Sequence, residues 1–229
     1  GRATANSAFG NAASVLVGDI IYTRAFQFVA QLQSLDIHRI MADATNVWAE
    51  GEVQQLMNVN NPDTTEESYM RVIYSKTARL FEVAAQSVAI VAGAEKSIES
   101  AVQEYGRYLG TAFQLVDDVL DYSANAAALG KNVGDDLAEG KPTLPLLHAI
   151  RHGNPQQAAL IREAIEQGGK RDAIDDVLAI MAEHKSLDYA MDRAKQVAQK
   201  AVDAIALLPE SKYKKALISL AYLSVDRTY

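Results

Sequence analysis

Two short segments near the middle of the chain carry most of the information about its structure and chemistry. Residues 113–121 read Phe-Gln-Leu-Val-Asp-Asp-Val-Leu-Asp, and residues 130–143 read Gly-Lys-Asn-Val-Gly-Asp-Asp-Leu-Ala-Glu-Gly-Lys-Pro-Thr. The first segment has carboxylates at Asp117, Asp118 and Asp121. On a helix these like charges repel one another by roughly a few tenths of a kcal/mol per pair unless a cation neutralises them. Together the segments predict a site that holds a diphosphate through a divalent cation.

The predicted helix around these aspartates is amphipathic when residues are placed about 100° apart. Its polar face carries Arg107, Gly110, Gln114, Asp117, Asp118 and Asp121, and its apolar face carries Val102, Tyr105, Leu109, Phe113, Val116 and Leu120. Gly106 and Gly110 lie on or beside the polar face, where each glycine costs about 1 kcal/mol relative to alanine. We therefore expect a ligand or another backbone to come close there. From this helix alone, an acidic face that simply meets water is the alternative.

The loop that follows the helix supplies positive charge. Gly130, Gly134 and Gly140 allow tight turns, and Lys131 and Lys141 are cations suited to phosphate oxygens. Magnesium usually binds through one or two carboxylates together with substrate phosphates, so aspartates beside lysines predict Mg²⁺ as the cofactor. A calcium-binding EF-hand loop would instead need oxygen ligands at alternating positions and a terminal glutamate, which this segment lacks.

Four motifs taken together resemble the trans-polyprenyl diphosphate synthase family. They are the two segments above, Ser75-Lys76-Thr77-Ala78-Arg79-Leu80 and the pair Gly18-Asp19. The resemblance runs from Gly1 to Tyr229 and is greatest for the bacterial members that make octaprenyl chains. It implies an all-α fold, the isoprenoid-synthase helical bundle, with residues 1–229 forming a single domain that is the C-terminal portion of the synthase.

The resemblance also implies a reaction, in which a homodimer extends an allylic diphosphate with isopentenyl diphosphate. We expect the protein in the cytoplasm, with which the absence of cysteine is compatible. The expected primer is farnesyl diphosphate, and the expected product is a long, octaprenyl-like diphosphate for quinone side chains. The metal ligands carried over from the family are Asp117, Asp118 and Asp121. The residues expected to bind diphosphate are Lys76, Lys131 and Lys141, and those expected to line the reacting carbons are Thr77 and Gln114. Lys76, Thr77 and Gln114 are the expected catalytic residues.

The chain departs from the family pattern at its beginning. The first aspartate-rich motif of the family is missing, and we therefore expect the chain to be part of a longer enzyme. A non-catalytic helical subunit, or an inactive fragment of a prenyl synthase, is one alternative. A terpene cyclase is another, although its second metal motif normally mixes asparagine or aspartate with serine and glutamate.

Composition excludes several other classes of protein. The chain has no cysteine, so it has no disulfide, thiolate nucleophile or zinc–cysteine site. A net charge of -7 argues against non-specific nucleic-acid binding, which requires basic patches. We expect no transmembrane segment, because no run approaches the roughly 18 to 20 apolar residues that span a bilayer. Apolar periodicity predicts helices near residues 7–33, 36–58, 65–93, 96–122, 142–152, 155–167, 171–184, 186–208 and 210–227.

Overall fold

The computed structural model describes residues 3–123, 133–168 and 171–227, and these residues form helices and no β-strand. The α-helices are α1 (Ala5–Phe9), α2 (Asn11–Gln31), α3 (Leu35–Asn58), α4 (Glu66–Ile73), α5 (Arg79–Val91), α6 (Lys96–Leu120), α7 (Asp135–Ala138), α8 (Leu144–His152), α9 (Pro155–Gln167), α10 (Ile174–Glu183), α11 (Ser186–Ala204) and α12 (Lys212–Val225). A π-helical turn spans Tyr74–Ala78, and a 3₁₀ turn spans Arg171–Ala173. The predicted all-α fold class is confirmed.

Apart from shifts of a few residues at their ends, the predicted helices differ from these elements at four places. One is the helix predicted over residues 171–184, whose first three residues form the 3₁₀ turn. The first predicted helix is divided at Gly10, whose positive φ of 83° interrupts the helical backbone. The helix predicted over residues 65–93 contains the π-helical turn at Tyr74–Ala78. The loop after α6 forms the short helix α7, which apolar periodicity could not predict because it has barely one turn.

The chain divides into two compact units, Gly1–Asp43 and Ala44–Tyr229. In the first unit, no residue of α2 is buried, and the exposed side chains include Leu16, Ile20, Ile21 and Phe28. By length and composition alone α2 could cross a membrane, a test that core helices of soluble proteins and signal sequences also meet. The expected absence of a transmembrane segment is therefore not confirmed, and the single-domain assignment stays a prediction.

The second unit is organised around α6. The apolar face predicted for this helix packs mainly against α11, where alanines at 190, 194, 198 and 201 are fully buried and let the two helices come close. Tyr105, Leu109, Val116 and Leu120 of that face are buried. Burying a large apolar side chain contributes about 1.5–3 kcal/mol, so this seam is a major source of stability. Its effect is to point the aspartate-bearing face of α6 away from α11.

Glycines bring α6 and its neighbours into close approach. A Cβ atom on Gly106 would lie 2.5 Å from the carbonyl oxygen of Phe81, and one on Gly110 would lie 2.7 Å from the Cα of Ala78. The close approach expected from the sequence is therefore to another backbone. Gly51 of α3 allows a similar close approach to the π-helical turn, since a Cβ atom added to it would lie 2.6 Å from the Cβ of Ser75. These contacts hold the π-helical turn between α3 and α6.

Candidate active site

One cavity of the second unit, of about 220 Å³, collects most of the predicted site residues. Six of them line it: Lys76, Thr77, Gln114, Asp117, Asp118 and Lys141. Asp121 is not among its lining residues, and Lys131 lies outside the described residues. The cavity walls come from α3, α4, the π-helical turn, α6 and the segment around α7.

The two residues predicted to line the reacting carbons contact each other. The Thr77 hydroxyl donates a hydrogen bond to Oε1 of Gln114 over 2.8 Å. The Gln114 amide Nε2 donates in turn to Oδ1 of Asp118 over 2.7 Å. The other oxygen of Asp118, Oδ2, accepts a hydrogen bond of 2.6 Å from the Tyr69 hydroxyl. Four side chains from three elements thus form one continuous polar chain.

The π-helical turn presents Lys76 and Thr77 to the cavity. Such turns insert an extra residue into a helix and occur frequently at functional sites. Lys76 Nζ donates to Oε1 of Gln55 over 2.6 Å and forms an ion pair with Glu52 at 3.3 Å. Both partners are on α3, so the close approach at Gly51 sets the position of this lysine. Its side chain keeps 34% of its surface exposed and can reach a ligand.

Asp118 is buried among other negative charges. Burial raises the pKa of Asp118 to about 7, and the charges of Asp136 and Asp117 act in the same direction. The hydrogen bonds from Tyr69 and Gln114 oppose the shift without cancelling it. Ionised Asp118 is therefore disfavoured in the absence of a cation, and a cation in the cavity would relieve that cost.

The segment after α6 is anchored by Asp121. Its Oδ2 accepts a hydrogen bond of 3.0 Å from the backbone N–H of Asp136, and its carbonyl accepts one of 2.9 Å from Gly134. The buried Asp121 side chain therefore positions the start of α7. This contact is compatible with metal ligation through another lone pair, and its role as a ligand stays a prediction.

Lys141 is brought to the cavity by the turn that follows α7. Gly140 has a φ of 70°, and its carbonyl accepts a 2.8 Å hydrogen bond from the backbone of Asn60. Lys141 Nζ contacts Oδ1 of Asp136 at 3.1 Å and also pairs with Glu139. Burial lowers the pKa of Lys141, but its hydrogen bonds and ion pairs with these carboxylates outweigh burial and raise it, so the side chain is cationic.

The carboxylates of the cavity fit a magnesium–diphosphate complex better than a bare ion. Within residues 3–123, 133–168 and 171–227, no three His, Cys, Asp or Glu side chains converge enough to hold a metal ion alone. Mg²⁺ does not require such a cage, because it commonly takes one or two carboxylates, waters and substrate phosphates. Asp117 and Asp118 supply hard oxygen donors, and Lys76 and Lys141 supply positive charge for the phosphates. The donor set therefore fits the predicted cofactor.

Arg227 lies beside the aspartate-bearing helix, near the end of the chain. Its Nη2 donates to the carbonyl oxygen of Phe113 over 2.9 Å, and its Cζ lies 4.1 Å from the centre of the Phe113 ring. Burial lowers the pKa of Arg227, and the charge of Asp117 opposes that shift. The end of the chain thus adds a cation to the surroundings of the site.

A protein-family model described as polyprenyl synthetase matches residues 1–181. The chain belongs to the polyprenyl synthetase family. It is 82% identical over 229 residues to the octaprenyl diphosphate synthase of Haemophilus influenzae, covering 100% of this chain and 70% of the relative. It is 61% identical over 227 residues to the octaprenyl diphosphate synthase of Escherichia coli, covering 99% of this chain and 70% of the relative.

Solved structures of other polyprenyl synthases have the same fold. A decaprenyl diphosphate synthase from Rhodobacter capsulatus matches with a TM-score of 0.91 and 39% identity, covering 100% of this chain and 71% of that one. A polyprenyl synthase from Caulobacter crescentus, complexed with calcium and isoprenyl diphosphate, matches with a TM-score of 0.94 and 38% identity, covering 100% and 70%. The family resemblance, the isoprenoid-synthase fold and the assignment as a prenyltransferase are confirmed.

Several residues that line the cavity of this polyprenyl synthetase were not predicted from the sequence. They are Gln55, Asn58, Thr64, Tyr69 and Thr143. Gln55 and Asn58 lie one turn apart at the end of α3, and their polar side chains could have indicated a polar patch. Thr143 has a buried hydroxyl with no hydrogen-bond partner in the described part of the chain. No sequence signal distinguished Tyr69 from an ordinary core tyrosine.

Proposed function

We propose that this transferase adds isopentenyl diphosphate units to an allylic diphosphate, with farnesyl diphosphate as primer and a long, octaprenyl-like diphosphate as product for quinone side chains. The observation that carries the proposal is the cavity in which Asp117 and Asp118 face Lys76 and Lys141. The relatives named octaprenyl diphosphate synthase support the product length.

In this proposal, Asp117 and Asp118 hold Mg²⁺ and Asp121 contributes through the segment that it anchors. Lys76, Lys141 and Lys131 bind the diphosphate oxygens. When bound, Mg²⁺ neutralises charge on the diphosphate and makes it a better leaving group. Lys76 and Lys141 act in the same sense, because their charges are already oriented before the carbon–oxygen bond breaks and therefore cost no reorganisation.

Thr77 and Gln114 line the place where positive charge develops on the allylic carbon. Because the Thr77 proton is donated to Gln114, the remaining lone pairs of the Thr77 oxygen are available to that charge. The double bond of isopentenyl diphosphate attacks the allylic carbon, and loss of a proton from the resulting cation regenerates an allylic diphosphate. Catalysis then consists mainly of positioning and electrostatic stabilisation.

We further infer that the protein acts as a homodimer in the cytoplasm. The exposed apolar side chains of α2, including Leu16, Ile20 and Ile21, support association, because a second copy would remove them from water. Sedimentation of the purified protein without detergent tests this inference. A monomer, or a requirement for detergent, would contradict it.

The proposed activity is tested with the product of the complete gene, labelled isopentenyl diphosphate and farnesyl diphosphate, with products separated by reverse-phase chromatography. We expect long polyprenyl diphosphates whose formation requires Mg²⁺. Cyclic hydrocarbons formed from farnesyl diphosphate would instead identify a terpene cyclase. Unchanged farnesyl diphosphate would identify a non-catalytic subunit.

A further inference from the structure

A buried tyrosine that has no part in the proposed chemistry is joined to the central carboxylate of the cavity. Tyr69 lies on α4 with 5% of its surface exposed, and its hydroxyl donates to Asp118 over 2.6 Å. The two residues are 49 positions apart in the chain, so this contact depends on how α4 packs against α6.

The Tyr69 ring is held firmly in place. It belongs to the same core cluster as Ile73 of α4, Leu115 and Val116 of α6, and Ala194 of α11. A tyrosine ring fixed by packing has little freedom left, so its hydroxyl is presented at a defined point. The fixed hydroxyl in turn determines the orientation of the Asp118 carboxylate.

The orientation of Asp118 extends to the residues that line the reacting carbons. With Oδ2 occupied by Tyr69, Oδ1 faces Gln114 and accepts from its amide nitrogen. That contact turns the amide oxygen of Gln114 toward the Thr77 hydroxyl, which donates to it. Asp118 accepts both of its hydrogen bonds, so Gln114 must direct its amide nitrogen toward Asp118 and its amide oxygen toward Thr77. The orientation of one side chain in this series thus determines that of the next.

We propose that Tyr69 is a positioning residue of the metal–diphosphate site, which orients Asp118 and, through Gln114, the hydroxyl of Thr77. This proposal rests on the proposed function, because it takes Asp118 to be a ligand of the Mg²⁺ that binds the substrate diphosphate. In this role Tyr69 acts through the carboxylate that its hydroxyl contacts, rather than as a ligand of the metal. Its loss should therefore weaken an arrangement that other residues use.

The chain offers a matched control for this role. Tyr74 lies five positions after Tyr69, and its hydroxyl also donates to a carboxylate, Oε2 of Glu82, over 2.9 Å. Tyr74 does not line the cavity that holds Asp118. Tyr69→Phe and Tyr74→Phe each remove one hydroxyl from a tyrosine–carboxylate pair, and only the first pair belongs to the site.

The experiment measures binding of Mg²⁺ with inorganic pyrophosphate by isothermal titration calorimetry, and steady-state prenyl transfer, in the complete gene product. Outer hydrogen-bond partners of metal ligands typically contribute about 10- to 100-fold in affinity or activity. For Tyr69→Phe we expect weakening of magnesium pyrophosphate binding and a lower kcat within that range. The KM for isopentenyl diphosphate should stay close to that of the unmodified protein, and Tyr74→Phe should change neither binding nor kcat.

A double-mutant cycle separates positioning from general loss of structure. In an Asp118→Ala background, which keeps no acceptor for the Tyr69 hydroxyl, Tyr69→Phe should have no further effect on magnesium pyrophosphate binding, because the hydrogen bond through which it acts is already absent. Additive effects, or equal effects of the two tyrosine variants, would overturn the proposal. Normal binding of magnesium pyrophosphate without any prenyl transfer would contradict the proposed function while leaving the test of Tyr69 intact. Absence of binding by the unmodified protein would contradict both.

Discussion

Two buried carboxylates of the second unit accept a tyrosine hydroxyl, yet their charges are balanced in different ways. Glu82 accepts from Tyr74, from Arg79 over 2.8 Å and from Gln103 over 2.7 Å, so a cation of the protein itself neutralises it. Asp118 accepts from Tyr69 and Gln114, which are uncharged donors. The charges that raise its pKa belong to other carboxylates.

This difference shows how similar hydrogen bonding can serve structure at one place and function at another. The negative charge of a buried carboxylate that pairs with an arginine is neutralised within the folded chain. A buried carboxylate that is surrounded by other carboxylates is instead stabilised when a cation binds beside it. The two sites are connected through α4, the π-helical turn and α5, so their effects can be compared in one molecule. Three predictions test the contrast.

The largest expected effect is the loss of stability in Glu82→Gln. The variant leaves Arg79, whose side chain is only 15% exposed, without its charged partner. Removing one member of a buried ion pair costs about 3–5 kcal/mol. Urea unfolding should show this loss, while kcat per folded molecule should stay within about twofold of the unmodified protein.

The control for this prediction is Glu67→Gln, because Glu67 pairs with Arg71 at 3.0 Å on the surface of α4. Exposed pairs of this kind contribute about 0–1 kcal/mol. If Glu82→Gln lowers the free energy of unfolding no more than Glu67→Gln does, the ion pair between Glu82 and Arg79 does not stabilise the fold as described above.

The second prediction concerns activity without loss of stability. Asp117→Ala removes a proposed metal ligand from the cavity, and we expect kcat/KM to fall by at least about 100-fold, the scale of losing one directed electrostatic contact. The free energy of unfolding in metal-free buffer should change much less than in Glu82→Gln, because the lost repulsion with Asp118 and the lost attraction to Arg227 act in opposite directions. Glu104→Ala, at an exposed position of the same helix, should retain normal turnover. Normal turnover in Asp117→Ala would show that this aspartate is not part of the site.

The smallest expected effect, when taken per pH unit, is a dependence of stability on pH that arises from Asp118. Its pKa is about 7 in the folded protein and close to the ordinary value of about 3.9 when unfolded. Between these values the folded state binds more protons, so its contribution to stability is present below about pH 4 and is lost as the pH rises toward 7. The slope from one proton is at most about 1.4 kcal/mol per pH unit.

Urea unfolding in EDTA, compared between the unmodified protein and Asp118→Asn, measures this contribution. In the asparagine variant, the free energy of unfolding should no longer show this dependence on pH. In the unmodified protein, Mg²⁺ with pyrophosphate should make the dependence weaker, because the cation favours the ionised carboxylate. Identical pH profiles for the two proteins in EDTA would contradict the assignment of the raised pKa to Asp118.

Most of the helical architecture could be predicted from local patterns, because helix periodicity, caps and breaks depend on residues close together in the chain. The apolar face of α6 was predicted in this way, and its buried members Tyr105, Leu109, Val116 and Leu120 confirm it. The spacing of Asp117, Asp118 and Asp121 likewise predicted an acidic patch. The π-helical turn at Tyr74–Ala78 was not predicted, because its sequence is compatible with an ordinary helix.

Apolar periodicity was sufficient to indicate an all-α fold, and the spacing of the aspartates and lysines indicated one site for a cation and a diphosphate. The polyprenyl synthase family itself was indicated by the resemblance of four motifs. The distinct roles of those residues arise from packing between elements that are distant in sequence. Tyr69 meets Asp118 across 49 positions, and Gly106 and Gly110 admit the backbone of α5 and the π-helical turn. Local spacing specifies which residues share a helix face, but burial and hydrogen-bond partners come from the neighbouring helices. Those neighbours make Glu82 a buried carboxylate with a positive partner, and they make Asp118 one that has no hydrogen bond from a cation within residues 3–123, 133–168 and 171–227.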